Sequence, residues 1–238
     1  MMATLIIDIG NTALKAAWAD GITLGKTYRY QGERMTEFIL TLVEKEKPAL
    51  MVLSSVRRLS RKNVAILEQS CDRLIVVDDD ILEKHSLPLS LTPDRAASII
   101  AARYLFKGKG CTIFDLGAMM TVDFLDSEGN FTGGCISPGC MTRFKSVNRY
   151  SKNLPLLSMP EDFSEKGLSI HESIYSGIIS GIMFEIKGHI CENPKNITVF
   201  TGGDANYFAK RMKNSIFVVC NIVLIGLAII ALGYDKTN

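Results

Sequence analysis

The chain has 238 residues, 47% hydrophobic and 22% charged, with a formal net charge of +2, which suits one large or two compact soluble domains. The near balance of charge and the lack of a long basic tract argue against specific nucleic-acid binding, so Arg57-Arg58 with Arg61-Lys62 reads as a solvated helix start. Six cysteines with no Cys-x-x-Cys pair and no clustered histidines argue against zinc, and without a signal-peptide pattern they suggest reduced thiols in a cytoplasmic protein.

The first element is the short, isoleucine-rich run Leu5-Ile6-Ile7, which has the texture of a core strand. It leads into Asp8, a turn at Gly10-Asn11-Thr12, and then Lys15. Gly10 lets backbone N–H groups come close to a phosphate, while Thr12 offers a hydroxyl and Lys15 a point charge. Asp8 repels a bare phosphate and fits only with Mg²⁺ between them. A plain hairpin accounts for Gly10 and Asn11, but not for an acid entering the turn and a lysine leaving it.

Met35, Phe38, Ile39, Leu42 and Val43 form a helical stripe ended by Pro48. A buried strand over 49–54 follows, with Ser54-Ser55-Val56 as its exposed end. A helix over 60–71 and a strand over 74–77 continue the alternation of an α/β sheet. Asp78-Asp79-Asp80 reads as a solvated strand end that caps the next segment. Thr92 as N-cap and Pro93 at the first helical position start a helix over 93–106. Asp94 and Arg95 in its first turn either complement the helix dipole or meet a substrate hydroxyl and an anionic group.

Gly108-Lys109-Gly110 marks a boundary between lobes 1–108 and 109–238. Asp115-Leu116-Gly117 then repeats the Asp-x-Gly turn between apolar strands, which suggests an internal duplication. Residues 133–139 form a glycine-rich stretch, a basic helix covers 141–150, and a flexible connection covers 157–167. A helix over 169–190 contains Gly177, Gly181 and Gly188, and the strand 199–201 ends in Gly202-Gly203. The apolar stretch 216–233 is divided by Asn221 into a strand and a helix, neither long enough to span a bilayer.

Two such hairpins gripping a nucleotide between duplicated lobes is the arrangement of the acetate and sugar kinase, Hsp70 and actin superfamily. Asp8-x-Gly10-Asn11-Thr12-x-x-Lys15, Asp94-Arg95, Asp115-x-Gly117 with Thr121 and Asp123, Gly133-Gly134-x-Ile136-x-Pro138-Gly139, Leu154-Pro155, Thr201-Gly202-Gly203-Asp204-Ala205 and Leu224-Ile225-Gly226-Leu227 together resemble type III pantothenate kinase. The resemblance implies an α/β fold of two ribonuclease H-like, actin-like ATPase lobes, each a mixed sheet with flanking helices. It implies ATP-dependent phosphorylation of pantothenate in a homodimer, the first step of coenzyme A synthesis. Asp8, Gly10, Asn11, Thr12 and Lys15 would hold the ATP phosphates, Asp8 also serving Mg²⁺ through them. Asp94 would be the general base, flanked by Thr92, Pro93 and Arg95 at the substrate, and Asp115 would hold a monovalent cation, K⁺ or NH₄⁺.

The chain departs from the family pattern at four places. Ala118, followed by Met119, replaces a threonine that touches ATP. His85 falls where a tyrosine lies against pantothenate, Thr92 replaces a glycine, and Ile170 replaces a threonine of the pantothenate pocket. Each lost partner is worth on the order of 1–3 kcal/mol if its counterpart stays buried. The retained acids favour a working kinase over a silent nucleotide-binding relative with a regulatory role, or over a kinase with a changed acceptor.

Overall fold

The structure is a computed structural model and describes residues 3–235. The chain forms two compact units, Met1–Leu105 with Asn221–Asn238, and Phe106–Cys220.

The first unit is built on five strands: β1 (Thr4–Ile9), β2 (Leu14–Asp20), β3 (Thr23–Tyr30), β4 (Leu50–Ser55) and β5 (Arg73–Val76). Their order is β3-β2-β1-β4-β5, with β1 antiparallel to β2 but parallel to β4. Every residue of β1 is buried, as expected of a strand covered on both faces. Leu5, Ile7, Ile9, Met51 and Leu53 pack with Met35, Ile39 and Leu67 of helices α1 (Met35–Val43) and α2 (Arg61–Gln69). Helix α3 (Asp79–Lys84) is capped by Asp78, whose carboxylate accepts from the Ile81 N–H, so the acid run caps the next segment. Helix α4 (Pro93–Leu105) packs against β4.

The second unit carries β6 (Cys111–Leu116), β7 (Met119–Leu125), β8 (Phe131–Pro138), β9 (Ile197–Thr201) and β10 (Ile216–Val218), ordered β10-β9-β6-β7-β8. Here too the first strand is antiparallel to the second and parallel to the fourth, so the strand order of the first unit recurs. The core joins Phe114, Phe200 and Val122 to helices α5 (Cys140–Tyr150), α6 (Ile170–Tyr175), α7 (Gly181–Glu192) and α8 (Ala205–Ala209). The helix expected over 169–190 is not continuous. A π-helical turn, Ser176–Ser180, separates α6 from α7.

The lobe division at 108 is corrected at the far end of the chain. Helix α9 (Ile222–Asp235) belongs to the first unit, where it packs on α4 and on β1 and β4. Contact between backbones sets this pairing: a Cβ at Gly226 would stand 1.9 Å from the Ala97 carbonyl oxygen of α4. Among the described residues no helix is long and apolar enough to cross a membrane, and the cysteines are free.

Candidate active site

The first hairpin turns at Gly10, whose N–H donates to the Ala13 carbonyl at 3.0 Å. Asn11 and Thr12 at the tip are exposed. Asp8 stands opposite Lys15 across the β1–β2 pair and is only 8% exposed. On its other side, in parallel register, lies Ser54 of β4, whose hydroxyl donates to Asp8 Oδ1 at 3.1 Å. That bond fixes the rotation of the carboxylate at the strand end.

Ser54 is fully buried, which corrects its reading as an exposed strand end. The segment after it is tied to the hairpin as well. The Val56 N–H donates to the Ile9 carbonyl at 3.1 Å, the Ser55 hydroxyl donates to the Arg57 carbonyl at 2.7 Å, and the Arg57 guanidinium donates to the Asn11 carbonyl. Arg57 therefore reaches the turn tip and does not start a helix; α2 begins at Arg61, with the Ser60 hydroxyl accepting from the Asn63 N–H. Sequence spacing alone gives no sign of Ser54 or Arg57. The one available signal is that a strand parallel to β1 must end level with it, which brings the residues after β4 to the same turn.

Asp94 occupies the first turn of α4. Its Oδ1 accepts from the Thr92 hydroxyl at 2.5 Å and from the Arg95 N–H at 2.9 Å. Its Oδ2 takes no hydrogen bond among the described residues. Thr92 thus orients the acid, whereas its carbonyl, accepting from the Ala96 N–H at 3.0 Å, makes the first helical bond.

His85 closes α3, and Arg103, at the opposite end of α4 from Asp94, donates to its carbonyl at 2.6 Å. No hydrogen bond joins the His85 ring to Asp94 among the described residues. Burial, and then the Arg103 and Lys84 charges, push the imidazole below its ordinary value, so it is neutral near pH 7.

In the second unit, Asp115 ends β6 between Thr121 of β7 and Thr201 of β9. Glycines make room for its carboxylate. A Cβ at Gly202, whose φ is +90°, would lie 2.5 Å from Asp115 Oδ1, and one at Gly117 would lie 3.6 Å away. A carboxylate cradled by backbone beside threonine positions suits a hard cation with oxygen ligands. No group of three or more His, Cys, Asp or Glu side chains suited to a metal occurs among the described residues.

Gly139 and the start of α5 press on the β6–β7 turn: the Gly139 N–H donates to the Ala118 carbonyl at 3.0 Å, and the Thr142 hydroxyl donates to the same oxygen at 2.5 Å. Asp204, in the turn after β9, is raised above the ordinary carboxylate range by burial, and the buried Cys140 thiol is pushed up to about 12. Ile170 begins α6 and is 59% exposed, preceded by Ser169 in a capping box with Glu172.

The sequence profile of type III pantothenate kinase matches residues 4–192. A type III pantothenate kinase from Cytophaga hutchinsonii is 36% identical over 236 residues, covering 94% of this chain and 96% of the relative. Among solved structures, a Campylobacter jejuni protein assigned to the Baf family of transcriptional activators aligns with a TM-score of 0.66 at 19% identity, over 98% of this chain and 99% of the other. The activator of 2-hydroxyisocaproyl-CoA dehydratase from Clostridium difficile, with bound ADPNP, aligns with a TM-score of 0.61 at 16% identity, over 99% and 96%. The two structures share the fold, and the profile match with the curated relative places this chain in the type III pantothenate kinase family.

Proposed function

We propose that this protein transfers the γ-phosphoryl group of ATP to the primary hydroxyl of pantothenate, the first step of coenzyme A synthesis. Family membership supports the reaction, and one local observation supports the role of this chain's acid. Asp94 Oδ1 is held by two donors while Oδ2 is left without one, so Oδ2 is the atom for the acceptor hydroxyl. As the hydroxyl oxygen bonds to the γ-phosphorus, the bond from that phosphorus to the β–γ bridging oxygen breaks, ADP leaves, and the hydroxyl proton passes to Asp94. In such loose transition states the acid aligns the hydroxyl more than it strips it.

Gly10, Asn11, Thr12 and Lys15 would hold the ATP phosphates, with Asp8, braced by Ser54, facing the Mg²⁺ they carry. Mg²⁺ supplies charge neutralisation on the phosphates when bound. Asp115 in its glycine cradle would hold the monovalent cation, K⁺ or NH₄⁺. Thr92, Pro93 and Arg95 would flank the acceptor, and His85 and Ile170 are the positions where the family pattern has its own pantothenate contacts.

A homodimer working in the cytoplasm completes the reading. The exposed apolar side chains Leu168, Ile170 and Phe184 of the second unit, 98%, 59% and 67% exposed, are our candidates for contact with a second copy. A groove of about 620 Å³ runs there over Gly177, Gly181 and Phe184.

The test is ADP release from purified protein with ATP, Mg²⁺ and pantothenate, with and without K⁺. Pantothenate-dependent turnover should fall by about 10²–10⁴-fold in Asp94→Asn, the usual worth of a positioned acid or base. A folded wild-type protein that binds Mg-ATP but gives no turnover would instead support the silent relative, the reading favoured by the missing hydroxyl at Ala118.

A further inference from the structure

We propose that Arg57 is a phosphate contact of the nucleotide site, a second cation at the turn served by Lys15; the proposal rests on the nucleotide reading above. Its backbone is fixed before any ligand arrives. Strand β4 ends level with β1, Ile9 facing Ser55, and the Val56 N–H closes onto the Ile9 carbonyl at 3.1 Å. Ser55 then grips residue 57 twice, its hydroxyl donating to the Arg57 carbonyl at 2.7 Å and accepting the Arg57 N–H at 3.2 Å.

The side chain follows the same direction. One guanidinium nitrogen, Nη2, donates to the carbonyl of Asn11 at the tip of the first hairpin. An exposed arginine usually samples many rotamers, and its ordering costs binding energy when a ligand is met. Here the tip carbonyl already holds the planar fork beside Gly10 and Thr12. A guanidinium has five N–H donors, so most remain for phosphate oxygens.

The charge pattern supports the same assignment. Arg57 forms no ion pair with a carboxylate among the described residues, unlike Arg34, Arg143 and Arg211. The acid of the same hairpin, Asp8, is buried and hydrogen-bonded to Ser54. Loose phosphoryl-transfer transition states spread charge over the γ-phosphate oxygens, and a bidentate cation complements that spread better than a point charge. Arg58, the exposed neighbour, makes no hydrogen bond among the described residues and serves as the control.

The experiment is calorimetric titration of AMP, ADP and ATP, each with Mg²⁺, into wild type, Arg57→Gln, Arg57→Glu and Arg58→Gln. The expected result is a loss that grows with phosphate number: AMP unchanged, ADP weakened, and ATP weakened about tenfold or more in Arg57→Gln, the usual worth of a hydrogen bond to a charged group. Arg57→Glu should lose more than Arg57→Gln, and Arg58→Gln should match wild type. Equal losses for all three nucleotides, or equal losses in the Gln and Glu variants, would make Arg57 only a brace for the turn and overturn the proposal. Unchanged ATP affinity in both Arg57 variants would overturn it too. A wild-type protein that binds none of the three nucleotides would instead sink the kinase reading, and Arg57's role with it.

Discussion

The β1–β2 and β6–β7 hairpins occupy the same place in two sheets of one topology, yet their tips are finished with different chemistry. The first has a polar tip, Asn11-Thr12, held at the Asn11 carbonyl by Arg57 from the segment after β4, while Ser54 of β4 holds Asp8. The second has an apolar tip, Ala118-Met119, braced by a helix start, with Gly139 and Thr142 both donating to the Ala118 carbonyl. Both keep an acid at the end of the first strand. In one it stands opposite a lysine and accepts from the Ser54 hydroxyl, and in the other it lies between two threonines with Gly117 and Gly202 close to its carboxylate. Donors and cations around a turn favour an anion, whereas a carboxylate among carbonyls favours a cation. The two units thus repeat one frame, and under the proposed function the residues around each tip would fit the two turns to opposite charges.

The sharpest way to break this comparison is to neutralise the two acids in turn. Asp8→Asn should lower kcat by about 10²–10³-fold, the cost of losing a principal electrostatic element of a phosphoryl-transfer site. Asp115→Asn should chiefly remove the response to K⁺, leaving a basal rate that no longer rises with the salt. Steady-state kinetics over a K⁺ series separates the two. If both variants lose K⁺ activation equally while keeping the same basal rate, the division of labour between the hairpins is wrong.

The braces come next. A methyl group at Gly139 would lie 1.9 Å from the Gly117 carbonyl oxygen, although the φ of −73° at this position suits any residue. The clash is therefore purely with the facing turn, and Gly139→Ala should destabilise the protein by about 1–3 kcal/mol, as overpacking does. At Gly10 the corresponding approach is 3.2 Å, to the Ala13 carbonyl, and a small shift of that turn relieves it. Gly10→Ala should melt closer to wild type than Gly139→Ala in a thermal denaturation series. The reverse order would mean that the first turn, not the second, is the rigid one.

Much of this was legible from the chain. Leu5-Ile6-Ile7, Asp8, Gly10 and Lys15 are contiguous, and a hairpin joins residues that are near in sequence, so their grouping follows from local pattern. The duplication was legible for the same reason, because each copy carries its own Asp-x-Gly turn. Ser54 and Arg57 were not, since each reaches the hairpin across 46 residues through a parallel pairing that leaves no periodic trace. Helix α9 was legible as an apolar helix but not as part of the first unit. Its partner is fixed by one backbone approach, Gly226 on Ala97, and sequence distance suggested the nearer lobe. The π-helical turn was hidden because Ser176, Gly177 and Ser180 fit a regular helix equally well in composition.

The smallest expected effect tests the apolar tip itself. The resemblance places a threonine on ATP where this chain has Ala118, and the hydroxyl that reaches this tip from α5 is that of Thr142, which spends its single proton on the Ala118 carbonyl. Ala118→Thr adds a second donor at an exposed tip, so folding should be little affected. The KM for ATP should then fall by about three- to tenfold, as one added hydrogen bond of ~1 kcal/mol predicts, with little change in kcat. Combining it with Thr142→Val removes the competing donor to the carbonyl. If Thr142 only holds the turn, the double variant should keep the gain in KM but melt below Ala118→Thr. If the gain disappears in the double variant, the nucleotide contact depends on the helix brace, and the second hairpin cannot be read as a passive counterpart of the first.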